Sequence, residues 1–171
     1  MNVVILNGSP RIMGNTSALV KAFEEEAKKA GHDVSVARIG TKIIRGCKHC
    51  DFCRNTLNGY CVQEDDMQDV YQLLRKCEVL VIASPIYYYS LNGQTHCAIE
   101  RMYAFDKLPR LKKAALILTS EGNKYASAIQ TYRDAIINHM NAEDLGMVVA
   151  TGAENKTEKK LEEVRSLAQK I

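Results

Sequence analysis

The sequence predicts one α/β domain over residues 1–171, a doubly wound, five-stranded parallel sheet in the order 2-1-3-4-5 with helices on both faces, three layers in all. Continuous apolar runs at Val3–Leu6, Val79–Ala83 and Ala114–Leu118 are those of strands buried on both faces. Amphipathic stripes at helical spacing separate them, beginning with Leu19, Phe23, Ala27 and Ala30. Right-handed crossovers make 2-1-3-4-5 the common order for five such strands, with its switch point between the first and third. Ligands bind near that point, at the carboxyl ends of the strands.

Each element has its own signal. The first helix runs from about Asn15 to Ala30, and Gly31 suits its C-cap. Val34, Val36 and Ile39 alternate with polar residues, as on a half-exposed edge strand. Residues 40–64 lack periodicity, are dense in cysteine and read as a long loop. Asp65 or Asp66 caps a short helix with an apolar face of Met67, Val70, Tyr71 and Leu74. The third strand runs into a loop, Ser84 to Ser90, and then a helix over about Asn92–Phe105. The fourth ends in Thr119–Asn123. It precedes a helix carrying Tyr125, Ile129, Tyr132, Ile136 and Met140, a last strand over Leu145–Ala150 and a last helix over Leu161–Ile171.

Three loops of unusual composition therefore meet at the switch point. The first, Gly8 to Ser17, joins a strand to a helix N-terminus, where free amides and the positive end of the helix dipole suit a phosphate. It is not a nucleoside-triphosphate loop, since five residues separate Gly8 from Gly14 and Asn15 follows. The dinucleotide fingerprint is absent, and no cysteine has the arginine spacing of a phosphatase loop. What it offers is hydroxyls on Ser9, Thr16 and Ser17, an amide on Asn15 and the guanidinium of Arg11. The second loop presents Pro85, Ile86, Tyr87, Tyr88 and Tyr89, suited to a flat, polar-rimmed ring, although tyrosines also serve as core or interface. In the third, Gly122 allows close backbone approach. Phosphate at one end and a planar ring at the other describe FMN.

Composition narrows the classes. A net charge of +3 with mixed signs gives no argument for nucleic acid. No apolar run has the length of a membrane helix and no signal peptide is evident, so a cytoplasmic location is expected. Six cysteines in such a chain point to metal, redox chemistry or burial rather than disulfides. Cys77 and Cys97 fall at apolar positions and read as buried hydrophobes.

The segments Gly8-Ser-Pro-Arg-x-x-Gly-Asn-Thr16, Ser84-Pro-Ile-Tyr87 and Cys61-Val-Gln-Glu-Asp-Asp-Met67 together resemble the flavodoxin-like NAD(P)H-dependent FMN reductases, and more narrowly their iron–sulfur flavoprotein branch. The likeness runs from Met1 to about Gly122. It implies that Ser9, Arg11, Asn15, Thr16 and Ser17 bind the FMN phosphate, and that Pro85, Ile86, Tyr87 and Tyr88 line the isoalloxazine. Ser120, Glu121 and Gly122 would complete that site. Where relatives often carry a Lys and an Asp-Arg pair, this chain has His96 and Glu100-Arg101, and His96 reads as a surface or interface residue like His32, His49 and His139.

Cys47, Cys50, Cys53 and Cys61 resemble the compact cysteine motif of the iron–sulfur flavoproteins and could surround a [4Fe–4S] cluster. Four thiolates also suit zinc, and a reduced loop without metal is the third reading. The expected function is that of an FMN-dependent oxidoreductase taking hydride from NAD(P)H. Its electrons would pass to a small acceptor: a quinone, a nitro or azo compound, a flavin or an iron centre. No catalytic side chain is required, because the cofactor carries the chemistry. The alternative is an electron carrier without NAD(P)H turnover, flavodoxin-like or an iron–sulfur flavoprotein; such small carriers tend to be acidic, and this chain is slightly basic. Exposed Tyr88, Tyr89 and Leu91 would pack on a second copy, giving a homodimer or homotetramer.

Overall fold

The computed structural model describes residues 1–56 and 59–171, so residues 57 and 58 of the expected cysteine loop lie outside the described residues. Strands β1 (Asn2–Asn7), β2 (Asp33–Ala37), β3 (Val79–Tyr87), β5 (Lys113–Ser120) and β6 (Glu143–Thr151) form a parallel sheet in the order β2-β1-β3-β5-β6. This is the expected 2-1-3-4-5 path, with β2 at its edge as its alternating pattern implied. Helices α1 (Asn15–Lys29) and α6 (Glu158–Ala168) cover one face. On the other lie α3 (Met67–Leu74), α4 (Gly93–Arg101) and α5 (Ala126–Tyr132).

The continuous apolar runs follow from this sandwich. Along β1, Val3 and Ile5 enter the core under α1 and α6, while Val4 and Leu6 enter the one under α3 and α4. The strand must therefore be apolar at every position. Cys77 is fully buried, with its thiol pushed up to about 12 by desolvation; Cys97 is half-buried.

The sheet has a sixth strand that the sequence did not announce. Rather than entering a loop at Ser84, β3 continues to Tyr87 and turns back through Tyr88 and Tyr89 into β4 (Ser90–Leu91). The antiparallel pairs are Ile86–Leu91 and Tyr87–Ser90. A two-residue turn of type I′, one of the two that match strand twist, needs left-handed conformations at both central residues. Tyr88 and Tyr89 adopt them, at φ 52° and 68°. Leu91, expected at the surface, is buried because this pairing turns it into the core. Ile39 leaves the expected strand for a short 3-10 turn over Ile39–Thr41. The helix expected to reach Met140 ends at Tyr132 and continues as a π-helical turn over Arg133–Asn138.

Candidate functional site

Asn7, the last residue of β1, shapes the first loop. Its Oδ1 accepts from the Ser9 amide (3.0 Å) and its Nδ2 donates to Ser17 Oγ (3.2 Å). The Gly8 amide donates to Ala83 O across the switch point (2.7 Å). A tight turn follows. Gly14 N–H donates to Arg11 O (3.0 Å), and Ser17 Oγ donates to the same carbonyl (2.9 Å). Ser9 Oγ lies 3.2 Å from both the amide and the carbonyl of Arg11. Helix α1 then opens on Gly14 with no side-chain cap and no acidic residue in its first turn. The first-turn amides of Asn15, Thr16 and Ser17 therefore lie at the positive end of the helix dipole without a side-chain cap.

Glycine is required where the backbone crowds. A Cβ on Gly14 would stand 2.9 Å from Arg11 Cβ and 3.1 Å from Ser9 Oγ. A Cβ on Gly8 would overlap Thr95 Oγ1, and one on Gly40 would overlap the Gly8 and Ser9 backbone. Buried Asn92 ties the loop to β3, donating through Nδ2 to Gly8 O (2.6 Å) and accepting at Oδ1 from Ser84 Oγ (3.2 Å) and Thr95 Oγ1 (2.6 Å). Thr16 Oγ1 lies 2.7 Å from Thr119 Oγ1 at the end of β5, joining the first loop to the third.

A cleft of about 230 Å³ lies at the carboxyl ends of the strands, lined by nine residues expected from the sequence: Ser9, Arg11, Asn15, Thr16, Pro85, Ile86, Tyr87, Ser120 and Glu121. Ser17 is not in that wall; its hydroxyl is spent on the loop's own bonds. An adjoining cavity of about 550 Å³ shares Ile86, Ser120 and Glu121 and adds Tyr88, Tyr89, Gly122 and Lys124. Tyr87, Tyr88 and Tyr89 are 47%, 97% and 60% exposed, so they belong to the rim rather than the core. Lys124 Nζ stands 5.6 Å from the Tyr89 ring centroid.

Sequence reasoning missed Gly14, Thr119 and Asn155 of the first cleft. Asn155, after β6, donates through Nδ2 to Ser120 O (3.0 Å) and Gly152 O (2.9 Å), and its buried Oδ1 has no partner among the described residues. The uncapped helix, the Cβ-free turn and this orphaned acceptor fit a ligand with an anionic end and hydrogen-bond donors further along, as in FMN's phosphate and hydroxyl-bearing chain.

The cysteines are less gathered. Cys47 and Cys50 are exposed, Cys61 is half-buried, and Cys53 is buried within the one-turn helix α2 (Phe52–Asn55). Burial first, then the neighbouring Cys61, pushes the Cys53 thiol up. Among the described residues, no three His, Cys, Asp or Glu side chains stand close enough to hold a metal ion. The donor set suits a cluster in kind and number; its sulfurs are not drawn together here. His96 Nε2 meets Ser90 Oγ at 3.0 Å, and His96 lines neither cleft.

This architecture is flavodoxin-like, and structures of that fold superpose on nearly the whole chain. RosB, solved with an 8-demethyl-8-formylriboflavin-5′-phosphate intermediate, matches with a TM-score of 0.79 at 17% identity, over 98% of this chain and 75% of its own. An NAD(P)H:quinone oxidoreductase from Methanothermobacter marburgensis matches with a TM-score of 0.72 at 14% identity, over 99% and 95%. At such identities these likenesses show the fold alone. The family follows from sequence: residues 1–156 match the model of the NADPH-dependent FMN reductases, and the chain belongs to that family. An iron-sulfur flavoprotein from Archaeoglobus fulgidus is 33% identical over 132 residues, 77% of this chain and 54% of the relative. The chain spans about half the length of the curated relatives it matches. The resemblance carried by the glycine-serine loop and the Ser-Pro-Ile-Tyr segment is therefore borne out at the level of family.

Proposed function

We propose that the chain is an FMN-dependent oxidoreductase that takes hydride from NAD(P)H and passes electrons to a small acceptor such as a quinone, a nitro or azo compound, a flavin or an iron centre. The observation that carries this reading is the meeting of an uncapped helix N-terminus with the tyrosine hairpin and the end of β5 on one cleft. FMN, when bound, supplies a ring that accepts hydride and releases electrons to a second substrate. The chain's own residues bind and orient it. The α1 amides and Arg11 would neutralise the phosphate, and Ser9 and Thr16 would shape the cradle around it. Pro85–Tyr88 and Ser120–Gly122 would hold the ring. The adjoining cavity leaves room on the rim for the nicotinamide or the acceptor. No proton-transfer residue is assigned.

Cys47, Cys50, Cys53 and Cys61 would hold a [4Fe–4S] cluster once drawn together. A second copy packed over Tyr87, Tyr88 and Tyr89 would shield the ring from water, giving a homodimer or homotetramer, and the working compartment would be the cytoplasm, where thiols stay reduced. No helix among the described residues is long and apolar enough to cross a membrane. The test is anaerobic rapid mixing of the FMN-loaded protein with NADH or NADPH. Bleaching of the flavin band much faster than for free FMN is expected; bleaching no faster than that background would leave the electron-carrier reading in its place.

A further inference from the structure

A fourth loop reaches the cleft, and it places there a buried acceptor with no partner among the described residues. After β6 the chain makes a 3-10 turn over Gly152–Glu154 and enters α6, whose cap Thr157 accepts the Lys160 amide (3.4 Å). Between turn and helix, Asn155 and Lys156 each tie this loop to another part of the site. Asn155 Nδ2 donates to Ser120 O (3.0 Å) at the end of β5 and to Gly152 O (2.9 Å) in its own turn. Lys156 Nζ donates to Met13 O (2.9 Å) in the first loop, and its backbone is held in the left-handed region at φ 66°.

The two bonds from Nδ2 fix which way the Asn155 amide points. Turned over, its oxygen would face two carbonyl acceptors, so the nitrogen belongs there and Oδ1 is the atom left unpaired. That oxygen is buried, on a residue that lines the cleft together with Ser9, Arg11, Asn15 and Thr16. Two other buried side-chain atoms lack a partner among the described residues, Gln63 Oε1 and Arg75 Nε, and neither residue lines the cleft. An amide oxygen can only accept. Unpaired and out of reach of water it costs stability, and a ligand that brings a donor recovers that cost. The α1 amides and Arg11 donate, as an anion needs; Asn155 Oδ1 has the opposite polarity, and an ionised phosphate would repel it. Asn155 does not line the adjoining cavity at the ring end.

We propose that Asn155 is a specificity-determining residue of the cleft, whose Oδ1 accepts a hydrogen bond from a hydroxyl of the polyol chain between phosphate and ring. The site then selects FMN over a phosphorylated flavin with a plain alkyl chain, because the latter leaves the buried oxygen unpaired. This rests on the reading of the cleft as an FMN site and assigns the atom that reads the chain of the cofactor rather than its ends.

The experiment is a fluorescence titration of the cofactor-free full chain, wild type and N155A, with FMN and with FMN analogues whose chain hydroxyls are replaced by hydrogen one at a time. Wild type should bind one of the deoxy analogues about 5–100-fold more weakly than FMN. N155A should bind FMN more weakly than wild type does, and should bind that same analogue within about twofold of FMN. A purely structural role would weaken FMN and every analogue by one common factor and leave the wild-type gap intact. That result would overturn the proposal and leave the FMN reading standing. Wild type that binds every deoxy analogue as tightly as FMN would overturn it as well, and this needs no variant should N155A fail to fold. Wild type that does not bind FMN would overturn both.

Discussion

Replacing Asp65 with Asn removes the counter-ion of the buried Arg101 guanidinium. Asp65 Oδ2 accepts from Arg101 Nη1 (2.7 Å) and the Arg45 amide (3.1 Å), and Oδ1 accepts from the Met67 amide (3.1 Å). Asparagine keeps one acceptor and leaves the guanidinium buried without a counter-ion. Breaking a buried pair from one side costs about 3–5 kcal/mol. That is a large share of the roughly 5–15 kcal/mol typical of folded domains and would lower the melting temperature by on the order of 10 °C. The pH dependence follows from the same geometry. Burial would push the Asp65 carboxyl up, but the bond from Arg101 and the two amides outweigh it and hold it below the usual carboxylate range. The stabilisation is therefore complete above about pH 4, the ordinary aspartate value, and is lost as pH falls through the lower folded value. Urea unfolding of wild type and D65N at pH 7 and at pH 3 measures both effects, and the gap between the proteins should narrow at the lower pH. A loss below about 1 kcal/mol at neutral pH, or a gap independent of pH, would refute the assignment of Arg101 and Asp65 as a paired, buried unit.

Three further outcomes are expected. T16V removes the hydroxyl pair with Thr119 and leaves a buried hydroxyl unpartnered; it should cost about 1–3 kcal/mol in denaturant unfolding and weaken FMN binding by fluorescence titration. G40A forces a methyl into the Gly8–Ser9 backbone and should lower FMN affinity more than a surface Gly-to-Ala change such as G93A, whose Cβ meets nothing. Replacing Tyr88-Tyr89 with Asn-Gly relieves two left-handed aromatic residues and should raise stability by about 1–2 kcal/mol in thermal or urea unfolding, while loosening the ring end of the site.

The parallel sheet was legible because strands buried on both faces admit no polar residue, and Val3–Leu6 and Val79–Ala83 therefore stand out as unbroken runs. The cleft was legible because switch-point loops carry hydroxyls and amides at fixed places near strand ends, and Ser9, Asn15, Thr16 and Ser120 met where topology put them. What escaped depends on long-range encounters that leave no local pattern. Asn92 reaches Gly8 across 84 positions, Arg101 reaches Asp65 across 36, and Asn155 reaches Ser120 across 35. Gly40 looks like any loop glycine until the first loop is seen packed against it. The β3–β4 hairpin hid for a different reason. Its turn conformation is ordinarily signalled by Asn-Gly, and here two tyrosines stand in that place, so local chemistry pointed away from the structure.

The central claim is that the Gly8–Ser17 loop anchors the phosphate of FMN, and the most direct measurement is a titration of cofactor-free protein with FMN and with riboflavin under identical conditions. The two ligands share the ring and the hydroxyl chain and differ only in the phosphate. FMN should bind at least tenfold more tightly, a difference of about 1.4 kcal/mol or more, and raising the salt concentration should narrow the gap. Equal affinity for the two, or binding of neither, would contradict the assignment of that loop as the phosphate anchor.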